Sequence, residues 1–191
     1  MPMWTKKVPD ASLVLPVRRE YTERIFGKYQ EYDPDSGMTE DEFFMKAALE
    51  LAHECGECGE VPVGAVVVRD GKIVSLSSNG REVMRDATLH AETDAISKAC
   101  GALGGWRLIG CTLYVTLEPC PMCAGAIINS RVPRVVIGTK DPNSGAMGSL
   151  VDLTSYPLGH KPEVIWGVLE DECSGELKSF FKKRREKNKE I

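Results

Sequence analysis

The chain has 191 residues, of which 42% are hydrophobic and 27% are charged, a balance typical of one soluble globular domain with or without an extension. No stretch approaches the roughly 18 uninterrupted apolar residues of a membrane helix, and the apolar run at 11–17 is short and broken by Pro16, which argues against a secretory signal. The formal net charge of −4 argues against a uniformly basic protein that coats nucleic acid, but it allows an enzyme with a local basic cluster. We therefore expect a cytoplasmic protein without a membrane segment.

The first 38 residues differ in pattern from the rest of the chain. They carry several prolines and charges without a sustained period. Tyr21, Ile25 and Tyr29 fall on one helical face, which is compatible with a short amphipathic helix. We interpret residues 1–38 as an N-terminal extension to which the sequence assigns no role, and residues 39–191 as the main domain.

Regular structure becomes readable at Thr39. Thr39 and Glu42 form the pattern of a capping box, and apolar residues then recur at helical spacing. Two apolar, β-branched runs, at 63–68 and 72–77, are joined by Asp70-Gly71, a pair typical of a tight turn. The pattern predicts a helix followed by a β-hairpin.

Helices and strands alternate in the remainder of the chain. Asp86 is expected to cap a helix that runs to about Cys100. Pro121 is tolerated in a first helical turn, so another helix is expected to begin there and to run to about Asn129. Further strands are predicted at 113–116, 135–139 and 164–168, and a last amphipathic helix from about Asp171. The order α-β-β-α-β-α-β-β-α predicts an α/β fold in which helices cover a five-stranded sheet.

Seven cysteines in a chain expected in the cytoplasm are better explained as metal ligands or buried thiols than as disulfides. Cys120 and Cys123 are three apart at the predicted start of a helix, which puts both sulfurs on one face, and His90, in the helix predicted from Asp86, is a third ligand. Three protein ligands leave one tetrahedral position open to water, as in catalytic zinc sites, where the metal turns this water into a hydroxide nucleophile. Glu92 can reach such a water without ligating and would act as the general acid and base.

Two other interpretations of the cysteines are weaker. In the first, Cys120 and Cys123 are an inert buried pair. In the second, they belong to a closed structural zinc site, for which no fourth ligand is obvious. Cys55 and Cys58, preceded by His53, lie at a predicted helix end without a second ligand pair at a standard spacing. Incidental thiols explain them better than a second metal site does.

The motifs, and much of the chain around them, resemble the tRNA-specific adenosine deaminases of the cytidine deaminase superfamily. The resemblance covers about residues 39–185, including the segments 60–66, 113–126 and 141–150. It implies a three-layer α/β/α cytidine deaminase-like fold with a central mixed sheet. It also implies that residues 39–191 form a zinc-dependent deaminase domain with a basic C-terminal helix.

The resemblance further implies roles for individual residues. The residues implied to bind zinc are His90, Cys120 and Cys123. Glu92 would be the proton shuttle, Asn79 would hydrogen-bond the purine, and the backbone amide of Ala91 would help to position it. The family works as a homodimer and converts the wobble adenosine in the anticodon of an arginine tRNA to inosine, so a tRNA anticodon loop and a second copy of the chain are the expected partners.

Two other functions stay open. The same motif serves deaminases of a free base or nucleoside such as guanine or cytosine. A non-catalytic RNA-binding subunit would keep the fold and the metal, although the presence of Glu92 argues against it. The basic run at 182–185 suits phosphate contact, since an RNA substrate needs such groups, whereas Phe180 and Phe181 are expected to pack rather than to stack on bases.

Overall fold

The computed structural model describes residues 19–189, which contain six α-helices and five β-strands. The helices are α1 (Arg19–Tyr29), α2 (Glu40–Glu57), α3 (Arg81–Met84), α4 (Ala91–Leu103), α5 (Pro121–Asn129) and α6 (Glu170–Lys187). The strands are β1 (Gly64–Arg69), β2 (Lys72–Ser78), β3 (Cys111–Leu117), β4 (Arg134–Thr139) and β5 (Glu163–Trp166). The predicted capping box at the start of α2 is present, because the side chains and backbone amides of Thr39 and Glu42 hydrogen-bond reciprocally.

The strands form one sheet in the order β2-β1-β3-β4-β5. β1 is antiparallel to both β2 and β3, whereas β4 is parallel to β3 and to β5. The sheet is therefore mixed, and β2 runs in the same direction as β3 although β1 lies between them. The β1–β2 hairpin turns at Asp70 and Gly71, whose φ angles of 52° and 70° are those of the predicted two-residue turn.

Helices cover both faces of the sheet because side chains alternate along each strand. On β1, Ala65 and Val67 belong to a buried cluster that includes α4 and α5. Val66 and Val68 belong to a second cluster that includes α1, α2 and Cys173 of α6. These two clusters confirm the predicted three-layer α/β/α architecture around a five-stranded mixed sheet.

The predicted helix start at Asp86 is wrong. The Asp86 carboxylate accepts hydrogen bonds from the amide and hydroxyl of Thr88, at 2.8 Å and 2.7 Å, and so closes a local turn instead of capping a helix. Arg85 before it has a left-handed φ of 55° and ends the short, unpredicted helix α3. As a result α4 begins only at Ala91, and His90 occupies the N-cap position rather than the interior of a helix.

The segment around Tyr21, Ile25 and Tyr29 does form a helix, as its periodicity suggests. Ile25 and Tyr29 are buried in the same cluster as α2, and the Tyr29 hydroxyl donates to Glu50 at 2.8 Å. Residues 19–29 therefore pack onto the sheet-bearing part of the molecule. The domain boundary at residue 38 stays a prediction, and residues 1–18 lie outside the described part of the chain.

Asp41 ties the first turn of α2 to the centre of the sheet. Both of its carboxylate oxygens accept from the Arg134 guanidinium at 2.8 Å, and one also accepts from the Tyr114 hydroxyl at 3.0 Å. The hydrogen bonds from Arg134 are the main reason why the pKa of Asp41 lies below its ordinary value of 3.8, against the opposing effect of burial. Because the folded state lowers this pKa, the interaction stabilises the protein above the unfolded-state pKa and is lost as the pH falls through the folded-state pKa.

We expect Asp41→Asn to lower the free energy of unfolding at pH 7 by about 1–3 kcal/mol, the usual value of a charge-assisted hydrogen-bonded pair. The deficit should shrink as the pH falls below about 4, because the wild-type side chain is then protonated first in the unfolded state and, at lower pH, in the folded state as well. Urea unfolding of both proteins at pH 7 and pH 3 measures this, with Asp35→Asn at an exposed site as the charge-matched control. An equal deficit at both pH values would contradict the assignment.

Candidate active site

The site forms at the sheet edge where β2 and β3 both end. After β2 the chain passes through Asn79 and α3 to His90 at the start of α4. After β3 it passes through Glu118 to Cys120, the N-cap of α5. Because β2 and β3 run in the same direction, the N-termini of α4 and α5 meet at this edge, with the single strand β1 between their parent strands.

His90, Cys120 and Cys123 lie close enough together to bind one metal ion. The Nδ1 atom of His90 is 3.7 Å from the sulfur of Cys120 and 3.5 Å from that of Cys123, and the donor atoms all lie within 4.8 Å of one another. Tetrahedral zinc with Zn–N near 2.0–2.1 Å and Zn–S near 2.3 Å would separate nitrogen from sulfur by roughly 3.6 Å. The distances in this cluster therefore fit zinc, and a further ligand position is left over.

The other cysteine pair does not repeat this arrangement. The buried sulfur of Cys55 lies 3.3 Å from the backbone carbonyl of Ala52 and 3.6 Å from that of Val61, whereas Cys58 is exposed. Within residues 19–189, the trio at α4 and α5 is the one group of three or more His, Cys, Asp or Glu residues that is near enough to hold a metal. The interpretation of Cys55 and Cys58 as incidental thiols agrees with this.

The electrostatics of the trio favour a cation. A hydrogen bond from the Cys123 thiol, with a smaller one from His90, lowers the pKa of Cys120 to about 4 although burial opposes the shift. The pKa of Cys123 is raised for the complementary reason, since it keeps the proton that the two sulfurs share, and burial adds to the effect. The lowered pKa favours the thiolate form of Cys120, and thiolates are the form in which cysteine binds zinc.

Glu92 lies in the first turn of α4 and is 4% exposed. Burial is the largest cause that raises the pKa of its carboxyl group, and the negative charge of Cys120 adds to it. Glu92 lines the same cavity as His90 and Cys120 but is not one of the three donors of the metal cluster. A carboxyl group beside a metal site, with its affinity for protons raised, is suited to proton transfer.

Asn79 and Ala91 line the inner part of the cavity next to this cluster. Asn79 is 8% exposed, and its Nδ2 atom donates to Glu60 at 3.2 Å. Ala91 is fully buried at the first position of α4. The structure thus brings the six site residues predicted from the sequence to one location, whereas the contact of Asn79 with Glu60 was not predicted.

A second buried glutamate, Glu118, holds the outer loop of the site. Its carboxylate accepts the backbone amides of Asp141, Met147 and Ser149 at 3.0–3.1 Å and is 2% exposed. A Cβ atom at Gly145 would lie 2.3 Å from this carboxylate, so the loop can close around Glu118 only with glycine there. The sequence marks Glu118 only by its place between β3 and the Cys120 motif, and its contacts with residues some thirty positions away were not predictable.

The cavity above the cluster has a volume of about 770 Å³, large for a single base but within the range of ligand sites. It extends from Glu92 past the loop at 141–144 to the exposed side of α6. Its outer wall contains Phe181, whose ring is 40% exposed and packs edge-on against Phe180 with ring centroids 5.4 Å apart. Besides Glu92, the charged residues of the cavity wall outside the metal cluster are Arg81, Glu118, Lys140, Asp141, Glu170, Asp171, Lys178 and Arg185.

An imidazole and two thiols at the start of two helices, with a buried carboxyl group beside them, define a zinc-dependent deaminase of the cytidine deaminase-like fold. Residues 38–139 match the family model of the cytidine and deoxycytidylate deaminase zinc-binding region. The tRNA-specific adenosine deaminase of Bacillus subtilis (strain 168) is 51% identical over 153 residues, which span 80% of this chain and 95% of that protein. The chain belongs to the family of tRNA-specific adenosine deaminases.

Solved structures support the same relationship. One, from a study of A-to-I editing by tRNA:A34 deaminases at the wobble position of transfer RNA, has a TM-score of 0.69 and 47% identity, and the match covers 70% of this chain and 98% of that chain. A guanine deaminase from Bacillus subtilis has a TM-score of 0.51 and 35% identity, covering 58% of this chain and 81% of that chain. Between residues 19 and 189 we find no helix that combines the length and the apolar character needed to cross a bilayer.

We expect the purified protein to contain one zinc ion per chain and Cys123→Ala to lose it. Removing a ligand should weaken zinc binding by more than the 10–100-fold that is typical when an outer hydrogen-bond partner is lost. Elemental analysis and titration with a zinc chelator measure this. Cys58→Ser, at an exposed thiol, is the matched control and should retain the metal, and a Cys123→Ala protein with full zinc content would contradict the site.

Proposed function

We propose that this chain converts the wobble adenosine of a tRNA anticodon, in an arginine tRNA, to inosine. The observation that carries the proposal is the continuity between the His90–Cys120–Cys123 cluster and a cavity that reaches the exposed side of α6. A relative named tRNA-specific adenosine deaminase, which is matched over nearly its whole length, supports adenosine in tRNA as the substrate.

In this proposal His90, Cys120 and Cys123 hold the zinc ion. Zinc in such a site supplies Lewis-acid chemistry, which lowers the pKa of water so that it becomes a nucleophile near neutral pH. His90 is the N-cap of α4 and Cys120 is the N-cap of α5, so the ligands lie at the positive ends of two helices. These helix ends favour the thiolate form of Cys120 and Cys123.

Glu92 is the proton shuttle in this mechanism. It accepts one proton from the attacking water and delivers it to N1 of the purine ring. It then accepts the second proton, from the oxygen that has become bonded to C6, and delivers it to the amine as the bond between C6 and that amine breaks. Water and adenine then give hypoxanthine and ammonia, so the atoms balance. The burial of Glu92 supports this role, because it raises the pKa of the carboxyl group and so increases its affinity for the protons that it has to carry.

Asn79 and the backbone amide of Ala91 hold the purine in this proposal, since both lie at the inner end of the cavity. A base must leave its stack to reach that depth, and a base in a single-stranded loop leaves its stack at a lower cost than one in a duplex. Lys178, Phe181 and Arg185 on α6 are then available for the nucleotides on either side.

We also infer that the protein works as a homodimer in the cytoplasm, where tRNA is its partner. Leu150 and Val151, at the end of the loop held by Glu118, are 60% and 44% exposed, and Met122 on α5 is 37% exposed. Exposed apolar side chains of this kind suit contact with a second copy. Met147, in the same loop, is only 3% exposed and packs in the core instead.

Deamination of a free base such as guanine or cytosine is the second candidate, supported by the structural likeness to a guanine deaminase. A free base needs only the inner cavity, near Asn79 and Glu92, and leaves the part that reaches Lys178 and Arg185 without a ligand. The extent of the cavity therefore favours a polynucleotide over a free base.

We expect the purified protein to convert adenosine to inosine at the wobble position when it is incubated with total tRNA, and to leave free guanine and cytosine unchanged. Sequencing of the tRNA, together with ammonia release from the free bases, measures both activities. Glu92→Ala should keep its zinc and lose roughly 10²–10⁴-fold in rate, the usual contribution of a general acid or base. Turnover of guanine with untouched tRNA would overturn the proposal, and a Glu92→Ala enzyme of wild-type rate would overturn the role of Glu92.

We expect Lys178→Ala and Arg185→Ala each to weaken the binding of an anticodon stem-loop and to reduce the slope of log K against log salt by roughly 0.7, as for one phosphate contact to a single strand. Binding isotherms at several salt concentrations measure this slope. Lys46→Ala, at an exposed position of α2 that is not part of the cavity wall, is the charge-matched control. Identical slopes for all three variants would rule out a phosphate contact by α6.

A further inference from the structure

Glu60 is a fully buried glutamate that the mechanism above does not use. It lies three residues after the end of α2, and two hydrogen-bond donors reach its carboxylate. The Nδ2 atom of Asn79 donates to Oε2 at 3.2 Å, and the backbone amide of Val83 in α3 donates to Oε1 at 2.7 Å. Burying a carboxylate costs free energy unless hydrogen bonds compensate it. A glutamate that only packed at this position would therefore destabilise the folded state relative to an apolar residue.

The carboxylate determines which end of the Asn79 amide faces the cavity. A carboxylate group accepts hydrogen bonds and donates none, so it holds the Nδ2 end and would repel Oδ1 if the amide turned over. The backbone of Asn79 is already fixed, because its amide donates to Val63 at 2.9 Å. Rotation of the side-chain amide is therefore the remaining freedom that Glu60 removes.

A fixed amide presents a defined pattern to a ligand. With one Nδ2 hydrogen bonded to Glu60, the second Nδ2 hydrogen and the Oδ1 acceptor of Asn79 are left for the base. A donor beside an acceptor matches the N7 acceptor and the N6 amine of adenine, the pairing that asparagine makes with this base when it binds through both groups. An amide that turned over would offer these two groups in the reverse order.

We propose that Glu60 is a positioning residue that sets the preference for adenine by locking the orientation of the Asn79 amide. The inference rests on the proposed deamination of a wobble adenosine, since it concerns how that base is recognised. Glu60 does not touch the reacting atoms in this proposal and acts through Asn79.

The test compares an anticodon stem-loop that has adenosine at the wobble position with one that is abasic there, both bound to proteins in the Glu92→Ala background so that the RNA is not consumed. We expect Glu60→Gln to weaken binding of the adenosine loop about tenfold, as for the loss of one hydrogen bond to a buried partner. The abasic loop should bind as before. Glutamine has nearly the shape of glutamate but has both a donor and an acceptor, so it allows either orientation of Asn79.

Three further variants separate positioning from damage to the fold. Glu60→Asp keeps a group that only accepts hydrogen bonds and should retain most of the preference for adenosine, although it changes the shape more than glutamine does. Asn79→Ala should lose the preference by itself, and adding Glu60→Gln to it should cause no further loss, because the two residues act as one unit. Ser75 lies elsewhere on β2, and its buried hydroxyl donates to the backbone carbonyl of Ala95 at 2.7 Å. Ser75→Ala removes this hydrogen bond and should leave the binding of both loops unchanged.

Equal weakening of both loops by Glu60→Gln would overturn the inference, because it would indicate general damage to the cavity. Additive losses in Asn79→Ala combined with Glu60→Gln would also overturn it, because Glu60 would then act by another route, such as the position of α3. These outcomes are distinct from failure of the proposed function. A wild-type protein that leaves the adenosine stem-loop unconverted overturns the function itself, whereas one that converts it while Glu60→Gln keeps the full preference overturns only the role of Glu60.

Discussion

The site depends on one constraint of the sheet, namely that β2 and β3 run in the same direction with the antiparallel strand β1 between them. Both strands therefore deliver their following helices to the same edge. His90 reaches the metal cluster as the N-cap of α4, and Cys120 reaches it as the N-cap of α5. One helical turn then adds Cys123. A sheet with β3 reversed would put these groups at opposite edges, some 20 Å apart for strands of this length.

The cavity is held in shape by two glutamates that are buried on either side of the cluster. Glu60 supports the wall formed by Asn79 and α3, and Glu118 supports the loop that begins at Asp141. Both work in the same way, since a carboxylate can accept several hydrogen bonds from segments that lack the regular pairing of a strand or helix. Irregular backbone is thereby made rigid at the place where a substrate needs a fixed outline.

The parts of the structure that the sequence predicts are those that depend on near neighbours. The capping box at Thr39 and the helix that begins at Pro121 depend on residues within one or two turns, and both are present. The prediction that a helix starts at Asp86 was wrong, because an aspartate carboxylate can close a local turn as readily as it caps a helix. The sequence pattern alone does not distinguish these two roles. The contacts of Glu60 and Glu118 join segments about 20–30 residues apart, so they depend on how the sheet is assembled and no local pattern reveals them.

The distribution of charge explains how a chain with a net charge of −4 can suit an anionic ligand. Glu60, Glu92 and Glu118 count in that total, yet all three are buried, and two of them are satisfied by amide donors. They therefore contribute little to the field that an approaching phosphate meets, which is set on the outer side of the cavity by Lys178 and Arg185 together with the acidic Asp141, Glu170 and Asp171. Electrostatic attraction falls off within about 10 Å at moderate salt, so the charges that matter for docking are the local ones. Net charge excludes a protein that coats nucleic acid along its whole surface, but for a site of this depth the position of each charge decides the ligand.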